Sequence, residues 1–192
     1  MWEEQQEGFI ARLEKTVSEL VKISAGWTPI GYELAYGFKD KKAPALEIDT
    51  QIGSIKMHGF IDRVDRDTNG NIRIIDYKTG STHLSKGDLI GGRRLQLPLY
   101  TLATSQSLNL GKPIDGFYWG INSAKGYLFL NKFKHNGETG PEAAIDLACK
   151  HVERIVKEIR SAKFPPLPPS GGCPKWCPAS AWCWRYEPGF YR

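Results

Sequence analysis

The chain has 192 residues, of which 41% are hydrophobic and 24% are charged, and these proportions are typical of one soluble globular domain with a sizeable core. Its formal net charge of +5 favours a polyanionic partner. No apolar run approaches the length of a membrane span and the N-terminus is acidic and polar, so we expect no membrane segment, no secretory signal and a cytoplasmic location.

The first part of the chain predicts a helix and then a strand. Helical periodicity over residues 2–23 indicates an amphipathic helix, whose stripe we attribute to core packing: Phe9, Leu13, Val17 and Leu20. Strict alternation predicts a strand over residues 31–38. Glu33 lies on the face of that strand made otherwise of glycine and alanine, which leaves space beside its carboxylate. Glu47, in the next predicted strand, is the rival acidic residue.

Residues 59–80 predict a β-hairpin with a cluster of charged side chains at one end. Two apolar runs flank an Asn-Gly turn. Alternation places Asp76 and Lys78 on one face of the second strand, and the first strand brings Asp62 alongside them. Two carboxylates there could hold a hard divalent cation, and the ammonium could orient a water molecule. The alternative is a solvated ion pair, but Asp76 follows an Ile-Arg-Ile-Ile run typical of an interior strand, where an unpaired acid is unfavourable.

We expect the strands over residues 45–52 and 54–67 to join this hairpin in one mostly antiparallel sheet. A polar, glycine-containing loop is predicted over residues 81–92, with Arg93 and Arg94 after it as candidate phosphate contacts at the start of a helix.

Gln96 and Tyr100 are four residues apart and therefore share one face of this next helix. One interpretation places them beside the metal site, in contact with a phosphate or ordering the lysine. The other makes them a buried hydrogen-bonded pair that joins the helix to the sheet. Pro98 is expected to kink the helix.

The last third of the chain predicts two strands over residues 114–122 and 126–133 and a helix over residues 140–162. The aromatic side chains of the two strands could stack on single-stranded bases, but we favour packing in the core and the sheet. A stiff proline-rich connector follows at residues 165–169. Three closely spaced cysteines then favour a soft metal or cluster, with zinc as the main rival and a disulfide as a third interpretation: Cys173, Cys177 and Cys183. We expect three tryptophans to shield that centre from water: Trp176, Trp182 and Trp184.

Two of these segments resemble a known family. Gly-Phe-Ile-Asp-Arg-Val-Asp at residues 59–65, followed by Ile-Ile-Asp-Tyr-Lys-Thr-Gly at residues 74–80, resembles motifs II and III of the PD-(D/E)XK nucleases. The Gln96-x-x-x-Tyr100 pair and the cysteine cluster are similar to those of the RecB/AddB-like branch, to which CRISPR adaptation nucleases also belong. The resemblance covers nearly the whole chain.

The resemblance implies an α/β (α+β) fold with a restriction-endonuclease-like core, in which helices flank a mixed, mostly antiparallel central sheet. We expect this nuclease core over residues 1–164, with the connector and cysteine tail of residues 165–192 packed on the same domain. It also implies Mg²⁺ or Mn²⁺ as cofactor, held by a set of four residues: Asp62, Asp76, the backbone carbonyl of Tyr77, and Glu33. Catalytic roles are further implied for three residues: Lys78, Gln96 and Tyr100.

The family's cysteine cluster holds a [4Fe–4S] centre, and its fourth cysteine lies far upstream. Here no cysteine precedes Cys149, which we expect to be a buried apolar residue and not a ligand, and the family's upstream histidine is absent too. Either the chain is a fragment or it is a divergent form, and we favour the fragment.

The residues and the resemblance together imply a metal-dependent DNA nuclease, a RecB-like exonuclease that hydrolyses phosphodiester bonds, and the chain would then be a fragment of a larger nuclease or helicase–nuclease. The resemblance also implies single-stranded DNA or DNA ends as substrate. This chain has no phosphate-binding loop of an ATP motor, so we expect a motor to lie elsewhere, with a helicase or recombination subunit as partner. The alternative is a non-catalytic DNA-binding domain, and a third hypothesis is a structural zinc protein.

Overall fold

A computed structural model describes residues 2–80, 84–166 and 172–188 of the chain. Its helices are α1 (Trp2–Lys22), α2 (Lys86–Ile90), α3 (Gln96–Gln106) and α4 (Gly140–Arg160), with a short 3₁₀ turn at Leu130–Lys132. Its strands are β1 (Trp27–Tyr36), β2 (Leu46–Thr50), β3 (Gly53–Met57), β4 (Gly59–Asp67), β5 (Ile72–Lys78), β6 (Pro113–Gly120), β7 (Lys125–Tyr127), β8 (Lys134–His135) and β9 (Glu138–Thr139). No helix in these ranges is both long and apolar enough to cross a membrane.

The chain divides into two compact units, residues 1–153 and residues 154–192. The predicted boundary after residue 164 stays a prediction. Residues 81–83 of the predicted loop and residues 167–169 of the predicted connector lie outside the described residues.

A five-stranded sheet in the order β1-β4-β5-β6-β7 forms the centre of the first unit. Only the β5–β6 pair is parallel, so the expected mixed, mostly antiparallel sheet is confirmed. One part of the expectation is wrong: β2 and β3 pair with each other in a separate two-stranded sheet, and the predicted strand over residues 54–67 is divided at His58. Strand β1 shifts its register between Pro29 and Gly31, and β7 has three residues.

The β4–β5 hairpin forms because its turn satisfies its own backbone. Asp67 Oδ1 accepts hydrogen bonds from the backbone N–H groups of Asn69 (2.9 Å) and Asn71 (2.8 Å), and Gly70 takes a left-handed conformation at φ 82°. The hairpin pairs Asp65 with Arg73, which determines the face on which every later side chain lies.

The two faces of the sheet pack against different helices. On one face, Leu20 of α1 packs with Ile75, Phe117 and Trp119. On the other face α3 approaches β6 so closely that a Cβ at Gly116 would lie 3.2 Å from Thr101 Oγ1 and 3.4 Å from the Leu97 side chain. A side chain there would push against these neighbours, so α3 packs closely over the face that carries Asp76.

Three local expectations are corrected by the structure. The apolar stripe of α1 is not explained by core packing, because Phe9, Leu13 and Val17 are exposed and only Leu20 is buried. Pro98 lies in the first turn of α3, where its missing N–H has no helical acceptor, so it causes no interior kink. The predicted strand over residues 126–133 is β7 followed by the 3₁₀ turn.

Candidate active site

Asp62 and Asp76 meet at the open end of the β4–β5 hairpin. Arg63 pairs with Ile75, and the next position in this antiparallel register places Asp62 opposite Asp76 on the same face. Oδ2 of Asp62 accepts a hydrogen bond of 2.8 Å from the backbone N–H of Tyr77. The structure thus brings together the two carboxylates that alternation along the strands predicts to be neighbours.

The Asp76 carboxylate is buried without adequate partners. The residue is 1% exposed, and among the described residues neither of its oxygens has a partner with hydrogen-bonding geometry. Among the described residues the ammonium of Lys78 forms an ion pair with it, with Nζ 2.5 Å from Oδ2. A buried charge in this condition destabilises the folded state unless something further neutralises it.

The environment of Asp76 is reflected in its pKa. Burial is the largest cause and raises the pKa of Asp76 to about 6. The ammonium of Lys78 opposes this rise, and the negative charge of Asp62 adds to it. A cation placed between the two carboxylates would remove both unfavourable contributions, which is the behaviour expected of a metal-binding acid.

A chain of hydrogen bonds connects the lysine to α3. Lys78 Nζ donates to Gln96 Oε1 at 2.8 Å, and Gln96 Nε2 donates to the Tyr100 hydroxyl at 2.8 Å. Lys78 also lies over the ring of Tyr118, 5.2 Å from its centroid. The ammonium therefore has a defined position, and Gln96 with Tyr100 orders it instead of forming a separate buried pair.

Glu33 lies near the aspartates, at the edge of this site. It has φ 48°, an unusual left-handed conformation for a glutamate, and it falls between the pairs that put its neighbours opposite Arg63 and Ile61. Burial raises the pKa of Tyr100, and three carboxylates lie close enough to raise it further: Asp76, Asp62 and Glu33. Glu47 is instead paired with Lys56 on the separate sheet, at 2.9 Å, with both side chains exposed.

The two arginines before α3 differ in their surroundings. Arg93 is exposed and pairs with Asp88 of α2, at 3.1 Å. Arg94 is also exposed, and its positive charge is close enough to lower the pKa of Asp76. Arg94 is therefore the arginine that lies near the site, whereas Arg93 forms an ion pair with α2.

Tyr118 also belongs to the site, although its sequence pattern favours a position in the core. It pairs with Asp76 across the parallel β5–β6 ladder, and its hydroxyl donates to the backbone carbonyl of Arg94 at 3.2 Å and accepts from the N–H of Leu97 at 3.3 Å. It thereby supports Lys78 and anchors the start of α3. The residues around Tyr118 in the sequence do not predict its place beside Asp76, because that place depends on the long-range pairing of β5 with β6.

Oxygen donors at this site fit a hard divalent cation. Within residues 2–80, 84–166 and 172–188, no three His, Cys, Asp or Glu side chains form a group able to hold a metal ion, so the aspartates and Glu33 do not yet make a three-carboxylate site. Two carboxylates facing one another, one of them buried and unsatisfied, still provide the oxygen chemistry that Mg²⁺ or Mn²⁺ prefers. The backbone carbonyl of Tyr77 stays the predicted third donor.

The cysteine tail does not show a built metal site. Cys173 is buried, Cys177 and Cys183 are half-buried, and all are free thiols, so the disulfide interpretation finds no support. The part of the chain that the structure describes shows no cysteine group arranged to hold an ion. The expected shielding by tryptophans is wrong, since all three expose more than three quarters of their surface: Trp176, Trp182 and Trp184.

Comparison with known proteins gives a consistent result. The profile of a family described as the PD-(D/E)XK nuclease superfamily matches residues 1–184. A stretch covering 48% of the chain is 41% identical to a protein of Carboxydothermus hydrogenoformans that is described as a subunit of an ATP-dependent helicase/deoxyribonuclease. Another covering 55% is 38% identical to the protein of the same description from Caldanaerobacter subterraneus. The matched stretches span only 9% and 10% of these relatives.

Proposed function

We propose, from the premise that this chain belongs to the PD-(D/E)XK nuclease superfamily, that it is a metal-dependent DNA nuclease of the RecB/AddB-like branch. The observation that carries the proposal is the buried Asp76 carboxylate, which faces Asp62 and, among the described residues, is ion-paired with Lys78 but has no partner with hydrogen-bonding geometry. A bound cation would neutralise this buried charge, and the facing carboxylate of Asp62 is a suitable second ligand.

In this proposal Asp62, Asp76 and the carbonyl of Tyr77 hold Mg²⁺ or Mn²⁺, with Glu33 at the edge of the set. When bound, the ion would polarise the phosphodiester and lower the pKa of an attacking water. The protein's own contribution is positional. Lys78 is held between Asp76 and Gln96, so its ammonium can donate to the water or to a phosphate oxygen at a constant place.

The residues on α3 and before it complete the site. The Tyr100 hydroxyl accepts a hydrogen bond from Gln96 and so orients the amide whose oxygen accepts the hydrogen bond from Lys78. Arg94, exposed beside Asp76, would contact a DNA phosphate, and Arg93 is a second phosphate contact once it leaves Asp88. Together these groups place positive charge around an acidic centre, as a site for a polyanionic substrate requires.

The relatives support a wider proposal. Each is described as a subunit of an ATP-dependent helicase/deoxyribonuclease, and this chain spans about a tenth of their length. We infer that the chain is the nuclease part of a larger helicase–nuclease, acts as an exonuclease on single-stranded DNA or DNA ends, and works beside a helicase or recombination subunit in the cytoplasm.

Iron–sulfur chemistry is a separate proposal. Three tail cysteines offer three of the four ligands that a [4Fe–4S] cluster needs, and zinc is the alternative: Cys173, Cys177 and Cys183. Iron and zinc assays with a visible spectrum of anaerobically purified protein would separate the two. Neither metal enters the reaction proposed above.

The nuclease proposal is tested by substitution. Asp76→Ala and Lys78→Ala should each abolish Mn²⁺-dependent cleavage of single-stranded DNA, with circular dichroism showing an intact fold. Asp49→Ala is the matched control, because Asp49 is an exposed strand aspartate on the separate β2–β3 sheet. Continued cleavage by either site variant would overturn the roles assigned here.

A non-catalytic DNA-binding domain is the second candidate, favoured by one observation: the described residues show no group of three metal-binding side chains. It predicts DNA binding without cleavage and no stabilisation by Mn²⁺. Measured cleavage that EDTA removes would exclude it.

A further inference from the structure

The C-terminal unit carries large aromatic side chains that it does not bury. Trp176, Trp182 and Trp184 are 82%, 79% and 76% exposed. Tryptophan is a residue that folded proteins mostly cover, and three exposed rings on one short segment, here called the aromatic patch, are of a kind associated with binding. The nuclease site described above uses none of them.

The backbone presents these rings on a closed loop. The N–H of Cys173 donates to the carbonyl of Glu187 at 2.6 Å, and Cys173 forms a β-bridge with Pro188, so the two ends of the segment meet. Inside the loop, successive turns are closed by hydrogen bonds from Cys177 to Pro174 and from Cys183 to Ala179. The rings are therefore held by an ordered backbone, which reduces the entropy that binding would lose.

Basic groups accompany the rings. The guanidinium of Arg185 lies 4.7 Å from the centroid of the Trp184 ring, and its Nη1 donates to the carbonyl of Pro166 at 3.3 Å. Lys175 is exposed immediately before Trp176. Arg185 thus restrains the Trp184 ring while its charge stays at the surface.

The charge of the whole chain is concentrated in this unit. Residues 154–192 contain seven Lys or Arg and two Asp or Glu, so the other 153 residues balance at nineteen of each and the entire net charge of +5 belongs to the tail unit. Exposed aromatic rings in a unit that carries excess positive charge match one polymer in both respects. Its bases are unstacked and offer flat faces, and its backbone is anionic.

We propose that Trp176, Trp182 and Trp184 form a binding site for single-stranded DNA, in which bases stack on the rings while Arg185 and Lys175 contact the phosphates. Stacking tolerates every base, so this site is without sequence preference. The choice of DNA rests on the proposed nuclease function, but the site does not depend on cleavage.

Binding of the full chain to a fluorescein-labelled oligothymidine of about 20 nucleotides, somewhat longer than the roughly 4–16 nucleotides that such sites cover, tests this by fluorescence anisotropy in EDTA, where no metal-dependent cleavage occurs. Each Trp→Ala change in the patch should weaken binding by roughly five- to a hundredfold, and Trp→Phe should retain most of the affinity. The three substitutions are at exposed positions, and thermal melting will show that the fold is kept.

Trp2→Ala is the matched control, because Trp2 is 75% exposed on α1 in the other unit. Unchanged binding by Trp2→Ala with strong loss in Trp182→Ala supports the proposal. Unchanged binding by the variant with all three alanines overturns it, as does an equal loss of affinity for a blunt duplex of the same length, since stacked bases cannot engage the rings. If the chain cleaves no DNA but the patch variants lose oligothymidine binding, only the nuclease proposal fails.

Discussion

The two ends of the β4–β5 hairpin each bury an aspartate, and they do so in opposite ways. Near the turn, Asp65 is fully buried and receives hydrogen bonds from two arginines. At the open end, Asp76 is 1% exposed and has a single ammonium beside it. The buried charge of Asp65 is thus neutralised by two arginines, whereas the buried charge of Asp76 is only partly neutralised and destabilises the folded state.

The details at the turn end show what a satisfied buried carboxylate needs. Arg63 donates from Nε to Oδ1 at 2.6 Å and from Nη2 to Oδ2 at 3.1 Å, while Arg73 donates to Oδ2 from Nε and Nη2. Arg73 also donates to the backbone carbonyl of Ile23, which ties α1 to the sheet. Both oxygens of Asp65 are used, so this end contributes structure, whereas the open end keeps an unused binding capacity.

Asp65→Asn is the change with the largest expected effect. It leaves two buried guanidinium groups without their shared counter-ion, and the free energy of unfolding should fall by about 3–5 kcal/mol. Urea unfolding measures this, with Asp49→Asn as an exposed-aspartate control. A loss below about 1 kcal/mol would show that water or other groups neutralise the arginines.

Asp76→Asn should instead raise the free energy of unfolding at neutral and alkaline pH. Burial gives the carboxyl a folded pKa of about 6 against an ordinary value of 3.8, so the folded state holds this proton more tightly. The contribution of this carboxyl to stability is therefore fully present below about pH 4 and is lost as the pH rises through 6, by roughly 2–3 kcal/mol in total. In EDTA the asparagine variant should be more stable than the parent at pH 8 and equal to it near pH 3.5, as urea unfolding at both pH values will show. A variant less stable at pH 8 contradicts the comparison.

Mn²⁺ should stabilise the parent protein by a smaller amount. At ten times its dissociation constant, a ligand that binds only the folded state adds about 1.4 kcal/mol, which is a rise of a few degrees in Tm for a chain of this size. Thermal melting with and without Mn²⁺ measures it. The Tm of Asp65→Asn should still rise when Mn²⁺ is added, whereas the Tm of Asp76→Asn should not change.

Of these changes Gln96→Ala should have the smallest effect on stability, but it should clearly slow cleavage. The side chain is exposed, so the loss of its two hydrogen bonds should lower the free energy of unfolding by about 0.5–1 kcal/mol. Because Lys78 loses its acceptor on α3, cleavage should slow by about ten- to a hundredfold in kcat. Gln106→Ala, an exposed glutamine at the other end of the same helix, is the matched control. Equal cleavage by the two variants would remove Gln96 from the site.

Local patterns in the sequence predict the open end of the hairpin well. A two-residue period and an Asn-Gly turn are sufficient to place Asp62, Asp76 and Lys78 together, because side-chain direction in a hairpin follows from short-range geometry. The same reasoning fails for Tyr118, whose place beside Asp76 depends on a parallel pairing between strands separated by α2 and α3. Local chemistry was predictable, and long-range partners were not.

Other errors have a common physical cause. Helical spacing in α1 predicts an apolar stripe but does not say what covers it, and Phe9, Leu13 and Val17 are exposed. Cysteine spacing likewise suggests a metal centre and led to the expectation of shielding tryptophans, which are exposed. Periodicity identifies amphipathic residues, but burial depends on how neighbouring elements are placed.

The outer strands of the central sheet have a consequence for the protein in concentrated solution. β1 contains Pro29, which has no N–H to offer, and its register shift and the left-handed Glu33 interrupt its regular edge. β7, at the opposite side, is three residues long. Neither side offers a long, flat row of peptide groups to a second molecule, so the sheet resists edge-to-edge growth into fibrils and aggregates.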